Sequence, residues 1–364
     1  MRTRGVWPIA GLAAAMAATQ GILRLTGTEY CLTQLTMALY YAAVVMGLCL
    51  LMGYAGQVSM GHGAFFAAGG YTSAVLTTHN FSAWQGTLVS SWLEKSRVLV
   101  ARQDAYSNAM LTVSPWAAFG AAMVLTFLLA VLIGYPALRL RGHYLAMATL
   151  GFGLIISKLL LGSALTGAAD GLNGVPEWQL LPGLAVTGKT AARVSNYYLA
   201  CSFVLFLLVV LGNLIRSTVG RALQAIHDRE TAANAMGIDT AACKLRVFVL
   251  SALIAAAAGV LCTHYTGGIG PSEASALKSV RYLALAAVGG MANLWGVTLG
   301  SVALNYASLR GWFGSYDNAV FGAILIAVIS LAPDGPLKPI GAGLRRCTRR
   351  FRPVPEEREE HGPA

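Results

Sequence analysis

Apolar residues fill most of this chain in long runs separated by short polar breaks. Seven runs are continuous: 6–24, 34–53, 115–138, 143–163, 197–215, 246–265 and 315–332. A membrane-spanning helix needs about 20 mostly apolar residues to cross the hydrocarbon layer. Each run therefore predicts one span. Two further runs, 58–78 and 281–308, are apolar but interrupted by glycine. The second contains Gly289-Gly290-Met291-Ala292-Asn293-Leu294-Trp295-Gly296. Non-helical backbone at membrane depth is tolerated only inside protein or beside a cavity. The 281–308 run is thus expected to be re-entrant or to form two short spans. The pattern predicts an all-α, polytopic helical bundle with broken segments and about eight to ten crossings.

Basic residues between the runs set the orientation, because Lys and Arg collect in short cytoplasmic loops. Arg2 and Arg4 precede the first run, which reads as an uncleaved span rather than a signal peptide. Arg139 and Arg141 mark a tight turn. Arg216, Arg221, Arg229, Lys244 and Arg246 lie between two runs, and Arg345, Arg346, Arg349, Arg350 and Arg352 lie in the tail. All four sets fall inside together if 58–78 crosses once and 281–308 does not. Both termini are then cytoplasmic, and loops 79–114 and 164–196 lie outside. Residues 1–340 are expected to form the transmembrane domain, and 341–364 a basic, disordered cytoplasmic tail.

Composition removes the soluble alternatives. The chain is 56% hydrophobic and 11% charged, with mean hydropathy +0.61, against roughly 25% charged residues in soluble domains. Its 41 glycines suit helices that approach closely in lipid. The net charge of +11 follows from loop composition. No interleaving of basic and aromatic residues suggests nucleic acid as a partner. The cysteines (31, 49, 201, 243, 262, 347) show no CxxC, and the histidines (62, 79, 143, 227, 264, 361) show no HExxH. Neither a disulfide nor a metal or other cofactor is expected.

One polar island, 216–246, interrupts the apolar pattern. Ser217 is a candidate N-cap for a helix through Ile226. Glu230 to Met236 predicts a second short helix closed by Gly237. Ala232, Ala233 and Ala235 would give this helix a flat face, with Arg221, Arg229 and Glu230 around it to orient a partner. On residues alone, a docking element and an ordinary loop both fit. Segment 53–66 sets Gln57, Ser59 and His62 inside an apolar run. Such groups face a solute path or bond between helices, because leaving them unsatisfied in lipid costs several kcal/mol. Lys158, within 143–163, suits an outer helix end where it can snorkel, or an ion path. Gly183-Leu184-Ala185-Val186-Thr187-Gly188-Lys189-Thr190 fits the phosphate-loop pattern by letter. Pro182 precedes it and no parallel α/β core surrounds it, so it is expected to be a chance match.

The island's Arg221-Ala222-Leu223-Gln224-Ala225-Ile226 and Glu230-Thr231-Ala232-Ala233-Asn234-Ala235-Met236-Gly237-Ile238 resemble the coupling-helix segment of ABC importer permeases. More closely they resemble LivM-type permeases of branched-chain amino acid importers. Gly53-Tyr54-Ala55-Gly56-Gln57-Val58-Ser59-Met60-Gly61-His62-Gly63-Ala64-Phe65-Phe66 is similar to a second family segment, and Arg139 to Leu150 to a third. Thr166-Gly167 through Gly171-Leu172-Asn173-Gly174-Val175-Pro176 is similar to a fourth. Leu294-Trp295-Gly296-Val297 departs from the family only at Val297, where proline is usual. The matches run in order over about 35–335; the long 79–114 loop is a further departure.

The resemblance implies an inner-membrane ABC importer permease that hydrolyses nothing itself. It implies two cytoplasmic ABC ATPases that bind ATP and Mg, a second related permease, and an external solute-binding protein. The ATPase-coupling residues would be Arg221, Arg229, Glu230, Ala232, Ala233, Ala235, Met236 and Gly237. The substrate path would include Gly53, Gly56, Gln57, Ser59, Gly61, His62, Phe65 and Tyr71, with Thr149 and Asn173 from the later segments. Leucine, isoleucine and valine are the implied solutes, with urea or short amides as the alternative. An ion-coupled carrier would need no docking island, and an ATPase would rest on the phosphate-loop match alone.

Overall fold

The computed structural model describes residues 6–80, 99–103, 109–138 and 143–331. Arg2, Arg4, the Arg139–Gly142 turn, most of the 79–114 loop and the 341–364 tail lie outside the described residues. Among the described residues, five helices are long and apolar enough to cross a membrane: Cys31–Tyr54, Pro115–Ala137, Tyr144–Gly162, Thr190–Arg216 and Thr240–Thr266.

In chain order, α1 is Val6–Leu25, α2 is Cys31–Cys49 and α3 is His62–Thr78. Strands β1 (Leu99–Gln103) and β2 (Ala109–Val113) form a hairpin before α4 (Pro115–Ala137) and α5 (His143–Gly162). Strand β3 (Leu172–Asn173) pairs with β6 (Gly268–Ile269), and β4 (Trp178–Leu181) with β5 (Leu184–Val186), both antiparallel. Helix α6 (Arg193–Arg216) leads to the short α7 (Thr218–Asp228) and α8 (Glu230–Ala235). Helix α9 (Thr240–Thr266) returns, and α10 (Ala276–Val288), α11 (Leu294–Leu309) and α12 (Asp317–Leu331) complete the bundle.

The two glycine-broken runs resolve differently from one another. In 58–78 the helix starts only at His62, and residues 56–61 are non-helical. The 281–308 run is two helices separated at 289–293, and the first begins earlier than the apolar run, at Ala276. Ser275 caps it there, its hydroxyl accepting from the Lys278 N–H at 3.3 Å. Between these breaks, α2 ends in a π-helical turn, Leu50–Tyr54. Such turns insert one residue and occur often at functional sites.

Helix α2 is the axis of the bundle, with residues 38–55 all buried. Helices α3 and α9 cross at very short range, where Gly69 faces the Ala256 backbone and Gly259 faces the Phe66 carbonyl. A side chain at either position would drive the backbones apart. Helix α4 is peripheral. It buries Ala118, Ala122, Thr126, Ala130, Gly134 and Ala137 and exposes Val124, Phe127, Leu128 and Leu132. Small residues repeating every fourth position form the seam of a closely packed membrane helix.

The bundle has two chemically distinct ends. One gathers α7, α8, the start of α9 and the 289–293 break, and is called the island end. The other gathers β3–β6, and is called the hairpin end. Tyr30 and Arg310 also meet there, with the Arg310 guanidinium donating to the Tyr30 hydroxyl at 3.0 Å.

Candidate functional site

The island folds as two short capped helices. The Ser217 hydroxyl oxygen accepts from the Gly220 N–H at 3.4 Å, and Gly220, Leu223 and Ile226 form the buried stripe of α7. Helix α8 closes at Gly237, whose φ of +83° is left-handed and favours glycine. The Ile238 N–H reaches back to the Ala233 carbonyl at 3.1 Å, a standard way of satisfying the last carbonyls of a helix.

The three alanines of α8 do not share one face. Ala233 is buried against the bundle, while Ala232, Ala235 and Met236 are exposed, Met236 at 83%. Glu230 stays exposed but reaches back to the bundle: its carboxylate accepts from the Thr240 hydroxyl at 3.3 Å and pairs with Lys244 at 2.6 Å. The Thr240 hydroxyl also lies 3.1 Å from the Asn234 side-chain oxygen. Asp239 caps α9 by accepting from the Ala242 N–H at 3.0 Å. These bonds tie α8 to the foot of α9. Arg221, Arg229, Ala232, Ala235, Met236 and Gly237 are left facing solvent.

From the island, contacts lead directly into the bundle. His227, on α7, sits over Gly56 (φ +67°); a Cβ at Gly56 would lie 2.6 Å from His227 Nδ1. Three residues earlier, Gly53 lies against the Met291 and Ala292 backbone of the 289–293 break. The Tyr54 hydroxyl donates to the Ala292 carbonyl at 2.7 Å, and the Cys49 thiol to the Met291 carbonyl at 3.1 Å. The π-turn of α2 is thus wedged between the island and the α10–α11 break.

Deeper in, Gln57, Ser59 and His62 are all buried. The His62 ring Nε2 lies 2.7 Å from the Ser251 hydroxyl of α9. The Met60 N–H donates to the Thr149 hydroxyl at 3.0 Å, and Gly61 abuts Thr149 on α5. Phe65 packs between Phe152 and Phe248, with ring centroids 5.1 and 5.7 Å away. Among the described residues, Gln57 Oε1, His62 Nδ1 and Tyr71 Oη are buried with no hydrogen-bond partner. Tyr71 lies nearer the hairpin end, with Ala67, Val175 and Ile269. The structure thus joins Gln57, Ser59, Gly61, His62, Phe65 and Thr149 into one interior region. It sets Gly53 and Gly56 at the island end, and Tyr71 and Asn173 toward the other.

At the hairpin end, a cavity of about 330 Å³ opens between α2, α3 and α9. Asn173 lines it, as do Tyr41, Phe66, Asp170, Thr263 and Glu273, none of which the sequence reading had singled out. Glu273 was hidden because it follows Pro271 in a short turn between apolar runs and matches no motif. The phosphate-loop pattern is a hairpin here. Gly183 turns β4 into β5, Lys189 pairs with Glu177, and Gly188 abuts the Tyr265 carbonyl. No strand–loop–helix cradle forms, so the chance-match reading holds. Lys158 is exposed on α5 beside Leu154, Ile155 and Leu159, away from the interior polar region. Among the described residues no cluster of His, Cys, Asp and Glu suits a metal ion.

Comparison with known proteins agrees with this architecture. The family model described as branched-chain amino acid transport system / permease component matches residues 30–329. The high-affinity branched-chain amino acid transport system permease protein LivM of Salmonella typhimurium is 29% identical over 323 residues, covering 83% of this chain and 68% of that protein. LivM of Escherichia coli K12 is 28% identical over 324 residues with the same coverage. The permease protein LivH of Salmonella typhimurium is 25% identical over 311 residues, covering 83% of this chain and 92% of that protein. No solved structure matches significantly. A multi-pass helical membrane protein with this match over most of its length belongs to the family of permease components of branched-chain amino acid transport systems.

Proposed function

We propose that this chain is one of two membrane subunits of an ATP-driven importer that carries leucine, isoleucine and valine inward across the inner membrane. The observation that supports this most is the island. The second of its two helices, α8, is fixed to the foot of α9 by Glu230 and Thr240, yet keeps Ala232, Ala235, Met236 and Gly237 exposed. A surface that is held rigidly and faces away from the bundle suits docking by a second protein, here two cytoplasmic ATPases that bind ATP and Mg themselves. The island end, both termini and the tail are then cytoplasmic. The hairpin end faces an external solute-binding protein, and a second, related permease completes the pore.

In this reading, ATP-driven closure of the ATPases pushes on α8 and α7. His227 over Gly56 passes the push to the π-turn of α2, and Gly53 passes it to the 289–293 break. Discontinuous helices expose backbone polar groups that can line a solute path. Gln57, His62 and Tyr71, with buried polar atoms left unpaired, lie along that route. An ion-coupled carrier fits less well, since Lys158 points out of the bundle.

Purification of the tagged chain from its native host in mild detergent tests the assignment. An ABC ATPase and a second permease are expected to co-purify. Recovery of the chain alone across several detergents would overturn it. Gly237→Trp should abolish recovery of the ATPase while membrane insertion persists, because only glycine closes α8 without strain.

A further inference from the structure

The cavity at the hairpin end has a floor and a rim of different chemistry. Tyr41, Phe66, Cys262 and Thr263 are buried at its floor, whereas Asp170, Asn173 and Thr266 are exposed at its rim. Its volume of about 330 Å³ is at the small end of ligand pockets and suits a free amino acid.

Glu273 is held in this wall by an asymmetric set of bonds. The Tyr41 hydroxyl donates to Glu273 Oε1 at 3.2 Å, and Lys278 Nζ donates to the same oxygen at 2.6 Å. Lys278 also donates to the Tyr41 hydroxyl at 3.3 Å and lies 4.5 Å from the centre of its ring. The other oxygen, Oε2, is sealed from solvent and has no partner among the described residues. An unpaired buried carboxylate oxygen is costly. The terminal torsion of glutamate is soft, so a donor entering the cavity can take this oxygen after a small rotation. Around it, Phe66 and Ile269 offer an apolar wall, while the Asn173 amide and Asp170 carboxylate stand at the mouth. This separation of an unpaired carboxylate oxygen from an aliphatic surface matches a ligand with an ammonium group and a branched hydrocarbon side chain.

The geometry points to a binding site for a free aliphatic amino acid in this cavity, with the ammonium group on Glu273 and the side chain against Phe66 and Ile269. The inference rests on the importer reading, and gives that importer a receiving site on the side away from the island. Glu273 is then a specificity-determining residue, and Lys278 and Tyr41 position it.

The test uses the whole transporter complex in detergent, carrying Asn173→Cys at the cavity mouth. Labelling of that thiol by a small maleimide is followed, and the wild-type complex supplies the background from the native cysteines. Leucine should slow the labelling, while 4-methylpentanoate, which has the same carbon chain but no ammonium group, should not. Glu273→Gln should remove the protection by leucine. It should also raise KM for leucine uptake by about tenfold or more, as expected for loss of a charge-assisted contact. If leucine gives no protection, or if 4-methylpentanoate protects equally, the site is wrong. The 4-methylpentanoate comparison is made with Glu273 intact, so it decides the matter even if Glu273→Gln does not fold. Protection without ATP-driven uptake would keep the site and overturn the importer reading. Uptake without protection would do the reverse.

Discussion

Helices α2 and α4 are almost equally apolar, with mean hydropathy 2.1 and 2.4 over their most apolar windows, yet 89% of the first window is buried and only 28% of the second. In water such a difference would follow hydrophobicity. In a membrane it does not, because lipid tails are as apolar as leucine and association depends on close packing. Helix α2 is ringed by other helices, and its end carries the π-turn between the island and the 289–293 break. Helix α4 touches its neighbours through one stripe of small residues. Hydropathy therefore identifies what crosses the membrane, while the placement of small and polar residues decides what lies at the centre and can transmit movement.

The largest expected effect lies where helices touch backbone to backbone. Gly69→Leu would meet the Ala256 backbone of α9, and should cost about 3 kcal/mol or more. A Cβ added at Gly120 on α4 meets nothing within 4 Å, so Gly120→Leu should cause no packing loss and change stability by no more than the helix-propensity gain of about 1 kcal/mol. Heating detergent extracts and measuring the remaining monodisperse fraction would compare them. Equal losses would show that α4 is as enclosed as α3.

Within α4 itself, Ala122→Leu on the small-residue stripe should cost about 1–3 kcal/mol. Leu128→Ala on its exposed face should cost less than about 0.5 kcal/mol. The same melting assay applies, and a reversed order would put the wrong face of α4 against the bundle. Next, Ser251→Ala removes the partner of His62 Nε2, and should cost about 1–3 kcal/mol because the ring is buried. A Ser251→Thr variant that keeps the hydroxyl should recover part of that loss. The smallest effect on melting is expected at the island. Ser217→Ala deletes the N-cap of α7 at about 1 kcal/mol of local stability. It should weaken stimulation of the partner ATPases more than it lowers the melting temperature.

Much of the bundle was legible from the apolar runs. The seven continuous runs all became helices, α1, α2, α4, α5, α6, α9 and α12, because apolar residues in lipid have no alternative to hydrogen-bonding along the segment. Among the described residues, α2, α4, α5, α6 and α9 are long and apolar enough to cross, whereas α12, at 15 residues, is shorter than the span expected of 315–332. The island's caps were legible too, since Ser217 and Gly237 act through local backbone chemistry. The interior start of α3 at His62 was not, because the break at 56–61 depends in part on a partner distant in sequence, Thr149, which accepts from the Met60 N–H. The inward turn of Ala233 was also missed. Three alanines look alike in sequence, and only the tie from Glu230 to Thr240 and Lys244 sets which one faces the bundle. At the hairpin end, Asn173 was picked out by resemblance, whereas Glu273, Tyr41 and Lys278 come together from three separate stretches of chain.

The central claim is that the island docks onto an ATPase, and site-specific crosslinking tests it most directly. Single cysteines would replace Ala235, Met236 and Ala233 in the tagged chain, in native membranes, and a short bifunctional reagent would be added with and without ATP. The account predicts that exposed A235C and M236C capture an ABC ATPase with a yield that changes on ATP binding, while buried A233C does not. No ATPase captured from either exposed position, in membranes where uptake is intact, would contradict it.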